Sequence, residues 1–363
     1  MQVSETIADF SEVELDGLGD CLFGKPFLAF VEEEHRGRAR ALYFHERDAG
    51  GALTAFAPAY VYHRSIPLTF RIGEFTGDPA LTAGMSSHLI VGVPVRLRSR
   101  IHATGPEALR AFVEEMTDWA RVNGLDAVVL PFVLGSDEAL RAALEPAGFA
   151  SAFYDGDFYL PVAGNDIDEF LSSLPRGPRK RLRNDMNHFL RSGIDLVRLE
   201  KPGELSAVMA EQHRALMDKY GRPEVEFTEE SFRRFDRLVT SATWCGAESP
   251  DGLAGYSMGF HGHGVLNVLR YGNGGATQDD ARIYINVGYV EPVRVAIELG
   301  LQRVHFGKAA HHIKVLRGCL HEEGHVYAKF LDRDAHDDIS RAFAHLDTVN
   351  RHRFAALSRG EQP

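Results

Sequence analysis

The sequence predicts an α/β (α+β) fold: two similar lobes in tandem, each a mixed, twisted sheet flanked by helices. Three observations carry this. Residues 284–329 read as helix, strand, short helix, strand. Residues 104–162 repeat that order. The glycine stops of the two stretches then match, by a shift of 176 residues (124 to 300) and of 170 residues (148 to 318), which points to internal duplication.

In the second stretch, Ile285, Tyr289, Val293, Ala296 and Ile297 recur at spacings of three and four, so they share one helical face. Pro292 belongs in the first turn or at a kink. Gly300 follows the helix end, where a left-handed residue is wanted. A short apolar strand, Leu301 to Phe306, precedes a cluster of Lys308, His311, His312 and Lys314. Gly318 stops the short helix, and His325 to Leu331 alternates as a strand. In the first stretch, Leu109, Phe112, Val113, Met116, Trp119 and Ala120 form the apolar face of a helix from Thr104 to Gly124. Thr104 and Glu107 have capping-box spacing. Ala127 to Val133 reads as a strand, Ser136 to Ala147 as a helix, and Phe153 to Val162 as a strand. Ala120-x-x-x-Gly124-Leu125-x-x-Val128 lines up with Ala296-x-x-x-Gly300-Leu301-x-x-Val304.

The remaining elements follow from local chemistry. Residues 1–30 are a lead-in with a short helix. Ala39 to Glu46 and Ala52 to Tyr62 are strands joined at Asp48 to Gly51. Pro67 to Ser86 is a Gly/Pro/Thr-rich loop. His88 to Arg100 is a strand region on which Arg96, Arg98 and Arg100 alternate, as a solvated face or as a phosphate-binding edge. Gly164 to Asp166 marks the boundary between domains 1–163 and 164–363. Ile194 to Leu199 is a strand, Glu204 to Tyr220 and Thr228 to Ser241 are helices, and Asp251 to Phe260 with Val265 to Tyr271 is a strand pair.

Composition narrows the function. The chain has 363 residues, 44% hydrophobic and 25% charged, with a net charge of −11 that disfavours indiscriminate nucleic-acid binding. Neither a signal peptide nor a membrane-length apolar run is read from it. Cys21, Cys245 and Cys319 are sparse and odd in number, which favours the reducing cytoplasm. The densest positive charge is Arg176, Arg179, Lys180, Arg181 and Arg183, followed by Asp185 and Asn187. It is a solvated helix face or a clamp on phosphate or carboxylate, groups that arginine meets bidentately.

The order of these pieces carries a family resemblance: LPRGPRKRLRNDMNHFLRSG, then helices, DGLAGYSMGFHGHGVLNVLRYGNGG, a helix, and IELGLQRVHFGKAAHHIKVLRG. It resembles the acyltransferase domain of FemAB-like, peptidoglycan-biosynthesis GNAT proteins. PFLAFVEEEH and GGALTAFAPAYVYH are similar to the start of that group. The resemblance spans most of the chain and implies two tandem GNAT-like domains, with the active site in the second. It also implies transfer of an acyl or aminoacyl group to an amine. The donor is an aminoacyl-tRNA in the Fem branch and an acyl-CoA in ordinary GNAT enzymes, where it would be a co-substrate. No other cofactor is expected.

An acyl-CoA enzyme holds pyrophosphate on a [RQ]-x-x-G-x-[GA] turn at a helix N-terminus. ATQDDARIYINVGY lacks that turn, and Asp279 and Asp280 repel phosphate; in RSRIHATGPEAL, Pro106 removes a donor. GNGG at 272–275 suits a hairpin as well as a phosphate. The expectation is therefore an aminoacyl-tRNA donor, its acceptor end on Arg176 to Arg183, and a small amine acceptor, with no membrane partner and no long helical arm. Lys314 aligns with a lysine that Fem-like domains carry before the closing glycine; the resemblance implies charge stabilisation at the carbonyl or donor phosphate. His312 is the candidate for proton transfer, with Arg270, Tyr271, Tyr284, Lys308 and His311 around the acceptor. His321 to His325 spells HExxH, which binds zinc only on a continuous helix; Gly318 and Gly324 and the strand pattern after it argue against a zinc hydrolase, and no metal site is expected. A non-catalytic binding protein is the third reading.

Overall fold

The structure is a computed structural model that describes residues 1–62, 87–96, 98–200, 202–221, 227–274, 282–359 and 361. The expected loop at 67–86 and Asp279 and Asp280 lie outside the described residues. The chain resolves into two compact units: residues 1–156 with 322–363, and residues 157–321. The expected boundary at 163/164 follows chain order, whereas the compact units trade closing segments.

The first unit is built on strands β1 (Gln2–Ser4), β2 (Ala39–Arg47), β3 (Leu53–Tyr62), β4 (His88–Val91), β5 (His102–Ala103), β6 (Ala127–Leu134) and β13 (Leu320–Phe330). Their order is β1-β2-β3-β4-β6-β13, with β5 on β3; β4 and β6 run parallel and the other pairs are antiparallel. At the β2–β3 turn, Asp48 Oδ1 accepts from the amides of Gly50 and Ala52, both at 2.9 Å. Helix α3 (Pro106–Val122) connects β4 to β6, after α1 (Glu12–Asp16) and α2 (Lys25–His35). It buries Leu109, Phe112, Val113, Met116 and Ala120 as the periodicity predicts. Its N-cap is Gly105, with no side-chain cap. The Thr104–Glu107 box does not form; Pro106 takes the first helical position, where its missing N–H costs nothing.

The second unit has the same element order. Strands β8 (Asp195–Arg198), β9 (Ala242–Ser249), β10 (Gly252–Gly262), β11 (Val265–Asn273), β12 (Arg303–Gly307) and the end of β7 (Ala150–Pro161) are arranged β7-β12-β11-β10-β9-β8. Only β11 and β12 run parallel, as β4 and β6 do in the first unit. Each parallel pair is followed by a short helix, α4 (Glu138–Leu144) and later α11 (His311–Leu316). Helices α5 (Ile167–Ser173), α6 (Arg176–Leu190), α7 (Ser206–Lys219) and α8 (Glu229–Leu238) precede β9. The α8 cap is a capping box between Thr228 and Ser231, the kind of cap that contributes ~1 kcal/mol.

The helix between β11 and β12 is broken in register. Residues Ile283–Ile285 form a short turn, α9; Asn286–Val290 is π-helical; Glu291–Glu298 is α10. Pro292 explains the widened turn. It has no N–H to donate to the Gly288 carbonyl and its ring would clash there, and a π turn opens the ladder at that point.

The duplication is visible in hydrogen bonds. Leu125 N donates to Ala120 O (3.0 Å) and Gly124 N to Arg121 O (3.1 Å); Leu301 N donates to Ala296 O (2.7 Å) and Gly300 N to Ile297 O (3.0 Å). Both are Schellman endings on a left-handed glycine, φ 69° and 64°. Gly148 and Gly318 end α4 and α11 the same way, through Phe149 to Leu144 (3.2 Å) and Cys319 to Lys314 (3.1 Å).

Two expectations are corrected. Among the described residues of the 88–100 region, only 88–91 forms a named strand, and Val93 makes an isolated antiparallel bridge with Arg98. Gly92, at φ 123°, permits this, because a Cβ there would lie 2.6 Å from Arg98 O. Arg96, Arg98 and Arg100 therefore share no strand face. Arg100 is paired with Asp20 (3.2 Å) and Asp137 (3.5 Å), so the phosphate-edge reading falls. Beyond the expected elements, a 27-residue helix, α12 (Arg333–Arg359), buries Ile339, Phe343 and Leu346. Its Asp347 accepts from Phe153 N (2.8 Å) and its Asn350 donates to Phe153 O (3.0 Å), serving the main chain of β7.

Candidate functional site

In the second unit, β11 and β12 pair at Val265↔Arg303, Leu266↔Val304 and Asn267↔His305, and there the pairing stops. Strand β11 nevertheless runs on to Asn273 and β12 to Gly307. Two parallel strands that part in this way open a crevice at their carboxyl ends, where sheets of this kind take ligands.

Aromatic side chains gather beyond the parting. Tyr271 meets Tyr284 edge-on at 4.7 Å, Tyr284 meets Tyr289 at 5.3 Å, and Tyr289 stacks on Phe306 at 4.6 Å. The Tyr284 and Tyr289 hydroxyls hydrogen-bond at 2.9 Å. Burial pushes the Tyr284 phenol up to about 12 and raises that of Tyr289, so both stay protonated at neutral pH. Gly288 in the π turn faces these rings, and a Cβ there would make only ordinary contacts, 3.5 Å from Tyr284 and 3.7 Å from Tyr271. The sequence-predicted pair Tyr271 and Tyr284 is thus brought together. Tyr289 and Phe306 were legible only as core positions. Arg270 instead lies 5.0 Å over the ring of Phe227 and donates to Leu269 O at 2.8 Å.

Lys314 closes the end of this ladder. It is 2% exposed. Its Nζ donates to the carbonyls of Phe306 (3.0 Å), Gly307 (2.7 Å) and Lys308 (2.7 Å), and lies 5.2 Å from the Phe158 ring. An ammonium has three donors, and here all three meet main chain. The loop it gathers is strained: Ala309 and Ala310 have φ of 66° and 49°, a region that costs roughly 1–2 kcal/mol for each non-glycine residue. Lys314 thus holds this loop in shape. Lys308 supplies one of the three carbonyls. His311 lies edge-on to Phe158 at 5.3 Å, and His312 is exposed on the first turn of α11.

The basic cluster forms the N-terminal half of α6, which begins after Pro175 with no acidic residue in its first turn. Arg176, Lys180, Arg181 and Arg183 are exposed and Arg179 is half-buried. Arg179 donates to Ser172 O (3.3 Å) and Arg183 stands 3.7 Å from Asp168. Asp185, on the same helix, is buried. It accepts from Arg317 (2.9 Å), stands 3.7 Å from Arg282, and its carbonyl accepts from Asn286 (3.3 Å). Through Asp185, α6 is tied to the π turn and to the end of α11.

The HExxH residues lie on β13, not on a helix. On a strand, positions four apart are separated by about 13 Å, so His321 and His325 cannot share one ion. His321 tilts against Phe158 (5.7 Å) and His325 pairs with Glu323 (3.2 Å). Gly324 is required because a Cβ there would collide with the Phe132 ring. Among the described residues no cluster of three potential metal ligands occurs. A separate cavity of about 640 Å³, lined by Phe10, His45 and Arg47 among others, contains none of the predicted site residues.

No protein-family model and no curated protein sequence matches the chain. Solved structures do. The chain is similar to FemX, with a TM-score of 0.62 and 12% identity over 94% of this chain and 100% of the other. The chain carries a FemX-like fold. It is also similar to the C-terminal domain (DUF2156) of a putative lysylphosphatidylglycerol synthetase from Agrobacterium fabrum, with a TM-score of 0.53, 12% identity, and 88% and 90% of the two chains covered. L-PGS from Bacillus licheniformis gives a TM-score of 0.53 at 11% identity, over 92% and 97%. At 11–12% identity these likenesses show the fold alone. No helix among the described residues is long and apolar enough to cross a membrane.

Proposed function

We propose that the protein is an aminoacyl-tRNA-dependent aminoacyltransferase that forms an amide on a small amine. The observation that carries the reading is the FemX-like fold over 94% of the chain, taken with the Fem resemblance of the sequence, which implies an aminoacyl-tRNA donor. The site chemistry is in keeping with it. Arg176, Lys180 and Arg181 present exposed guanidinium and ammonium groups for the phosphates of an acceptor end, with Arg179 and Arg183 beside them. The crevice beyond Asn267 and His305, with Tyr271 and Tyr284 at its side, is the place for the ester and the acceptor. The amine nitrogen attacks the ester carbonyl carbon, the bond to the ribose oxygen breaks, and the proton lost by the amine is returned to that oxygen. No cofactor is needed beyond the donor. Lys314, Lys308 and His311 set the loop at the crevice end rather than touching the reacting atoms. A tRNA donor assigns the reaction to the cytoplasm.

The test is transfer of label to candidate amines from a pool of charged tRNA and, separately, from acetyl-CoA. Transfer from charged tRNA alone is expected. Transfer from acetyl-CoA alone would replace this reading with an acyl-CoA-dependent N-acyltransferase. Transfer from neither would leave a non-catalytic binding protein.

A further inference from the structure

Helix α6 turns opposite sides to the protein and to solvent. At about 100° per residue, its buried Leu182, Asp185 and Phe189 fall within about 60° of one another. Arg176, Lys180, Asn184, Asn187 and Arg191, the last of them the C-cap, fall within about 80° on the other side. All five are exposed. The stripe runs about 22 Å along the helix. Asp185 is the sole acid of α6 and lies on the buried side. Among the described residues no carboxylate pairs with Arg176, Lys180 or Arg191. On a chain of net charge −11, cations grouped in this way attract a polyanion, and the acidic remainder turns it away from other surfaces.

The make-up of the stripe selects the form of that polyanion. Proteins that hold single strands do so in grooves, with aromatic rings on which bases stack; this stripe is a convex helix face with no ring on it. Double-stranded RNA is recognised by shape, through its phosphates and 2′-hydroxyls. Arginine and lysine meet the phosphates, and asparagine amides donate to phosphate oxygens or exchange hydrogen bonds with hydroxyls. A helix lying on a membrane turns its apolar side to lipid, whereas that of α6 is packed into the protein. The buried side also fixes where the stripe stands. Asp185 accepts from Arg317, and its carbonyl accepts from Asn286 in the π turn. The stripe is therefore about one helix diameter, ~10 Å, from the π turn that carries Tyr289.

We infer that the outward stripe of α6 is a rail for double-stranded RNA, the base-paired stem of the donor, with Asn184, Asn187 and Arg191 continuing the contact that Arg176 and Lys180 begin. This rests on the reading of the protein as a tRNA-dependent transferase. The rail meets backbone and shape, so it takes stems of differing sequence, and the unpaired end carries the ester to the crevice.

The test compares the full chain with two variants, Arg191→Glu and the double variant Asn184→Glu with Asn187→Glu. Arg110→Glu, exposed on α3, is a control with the same charge change as Arg191→Glu. The first measurement is binding of uncharged tRNA, of a single-stem RNA hairpin and of an unstructured strand of equal length, each against salt. Both rail variants should bind tRNA and hairpin at least about tenfold more weakly, with a smaller effect on the unstructured strand. The logarithmic salt slope of Arg191→Glu should fall by about 0.7–0.9, and the control should match wild type. The second measurement is single-turnover transfer from charged tRNA and from an aminoacylated single-stranded oligonucleotide. The ratio of kcat/KM, stem-bearing over stemless, should fall by about the factor lost in tRNA affinity. Rail variants that bind tRNA and hairpin as wild type does would overturn the rail and leave the transferase reading standing, and so would equal losses on hairpin and unstructured strand. A wild type that binds no RNA, or binds phosphatidylglycerol vesicles in its place, would overturn it too. Hairpin binding that depends on Asn184, Asn187 and Arg191, in a wild type that transfers from no charged tRNA, would bring down the transferase reading and keep the rail as an RNA-binding surface.

Discussion

Replacing Lys314 with methionine removes the ammonium while keeping most of the stem. Three main-chain carbonyls are then left without a charged partner inside the fold. A hydrogen bond from a charged donor contributes about 1.5–3 kcal/mol. The loss is partly offset because the ammonium no longer has to be stripped of water, a cost of several kcal/mol in its own right. The balance is a destabilisation of about 2–4 kcal/mol. The left-handed Ala309 and Ala310 are then no longer held by the ammonium. Equilibrium urea unfolding of wild type and Lys314→Met measures this, and a double-mutant cycle with Ala310→Gly localises it. Glycine tolerates φ near 49°, so the penalty of Lys314→Met should shrink in that background. A Lys314→Met protein as stable as wild type to within about 0.5 kcal/mol, yet without transfer activity, would refute the reasoning. It would return Lys314 to the reacting carbonyl.

Further outcomes follow from other side chains. Asp185→Asn should cost about 2–4 kcal/mol in thermal or urea unfolding, since Arg317 and Arg282 lose their carboxylate. Gly324→Ala should destabilise by about 1–3 kcal/mol, and Phe132→Leu should recover part of that by clearing the ring from the new methyl. Burial holds His88 down at about 4, from an ordinary 6.5. A histidine depressed in the folded state takes up its proton more readily when unfolded, so stability is full above pH 6.5 and falls as pH drops toward 4, by about 3 kcal/mol. His88→Leu should lose markedly less over that window; an unchanged pH dependence would discard the assignment. Neutralising Arg176, Lys180 and Arg181 together should weaken tRNA binding and flatten its salt dependence, the logarithmic slope falling by about 0.7–0.9 for each phosphate that is no longer neutralised.

What the sequence revealed is tied to local physics. The glycine stops at 124, 148, 300 and 318 were legible because a left-handed ending selects glycine, and all four form Schellman hydrogen bonds. The α3 face was legible because six apolar residues recur at helical spacing. Tyr271 and Tyr284 were placed together by strand-end position, and they touch. What it hid depends on partners far away in the chain. The main-chain role of Lys314 follows from three carbonyls converging, which no spacing announces. His305 sits in an apolar run, and its carboxylate, that of Asp157, is 148 residues away. Strand β9 lacks alternation, because Trp244 to Ala247 are buried in one continuous run between β8 and β10. Helix α12 was missed because only three of its 27 residues are buried.

The trade of closing segments has a consequence for how such a chain can be taken apart. The end of β7 completes a sheet made by later residues, pairing with β12, and β13 completes one made by earlier residues, pairing with β6. Severing the polypeptide near residue 163 would leave each piece with an unzipped margin and a spare strand, so the pieces should aggregate when expressed apart and reassemble when expressed together. A gene doubling fastened in this manner is hard to undo, because neither descendant any longer owns a whole copy.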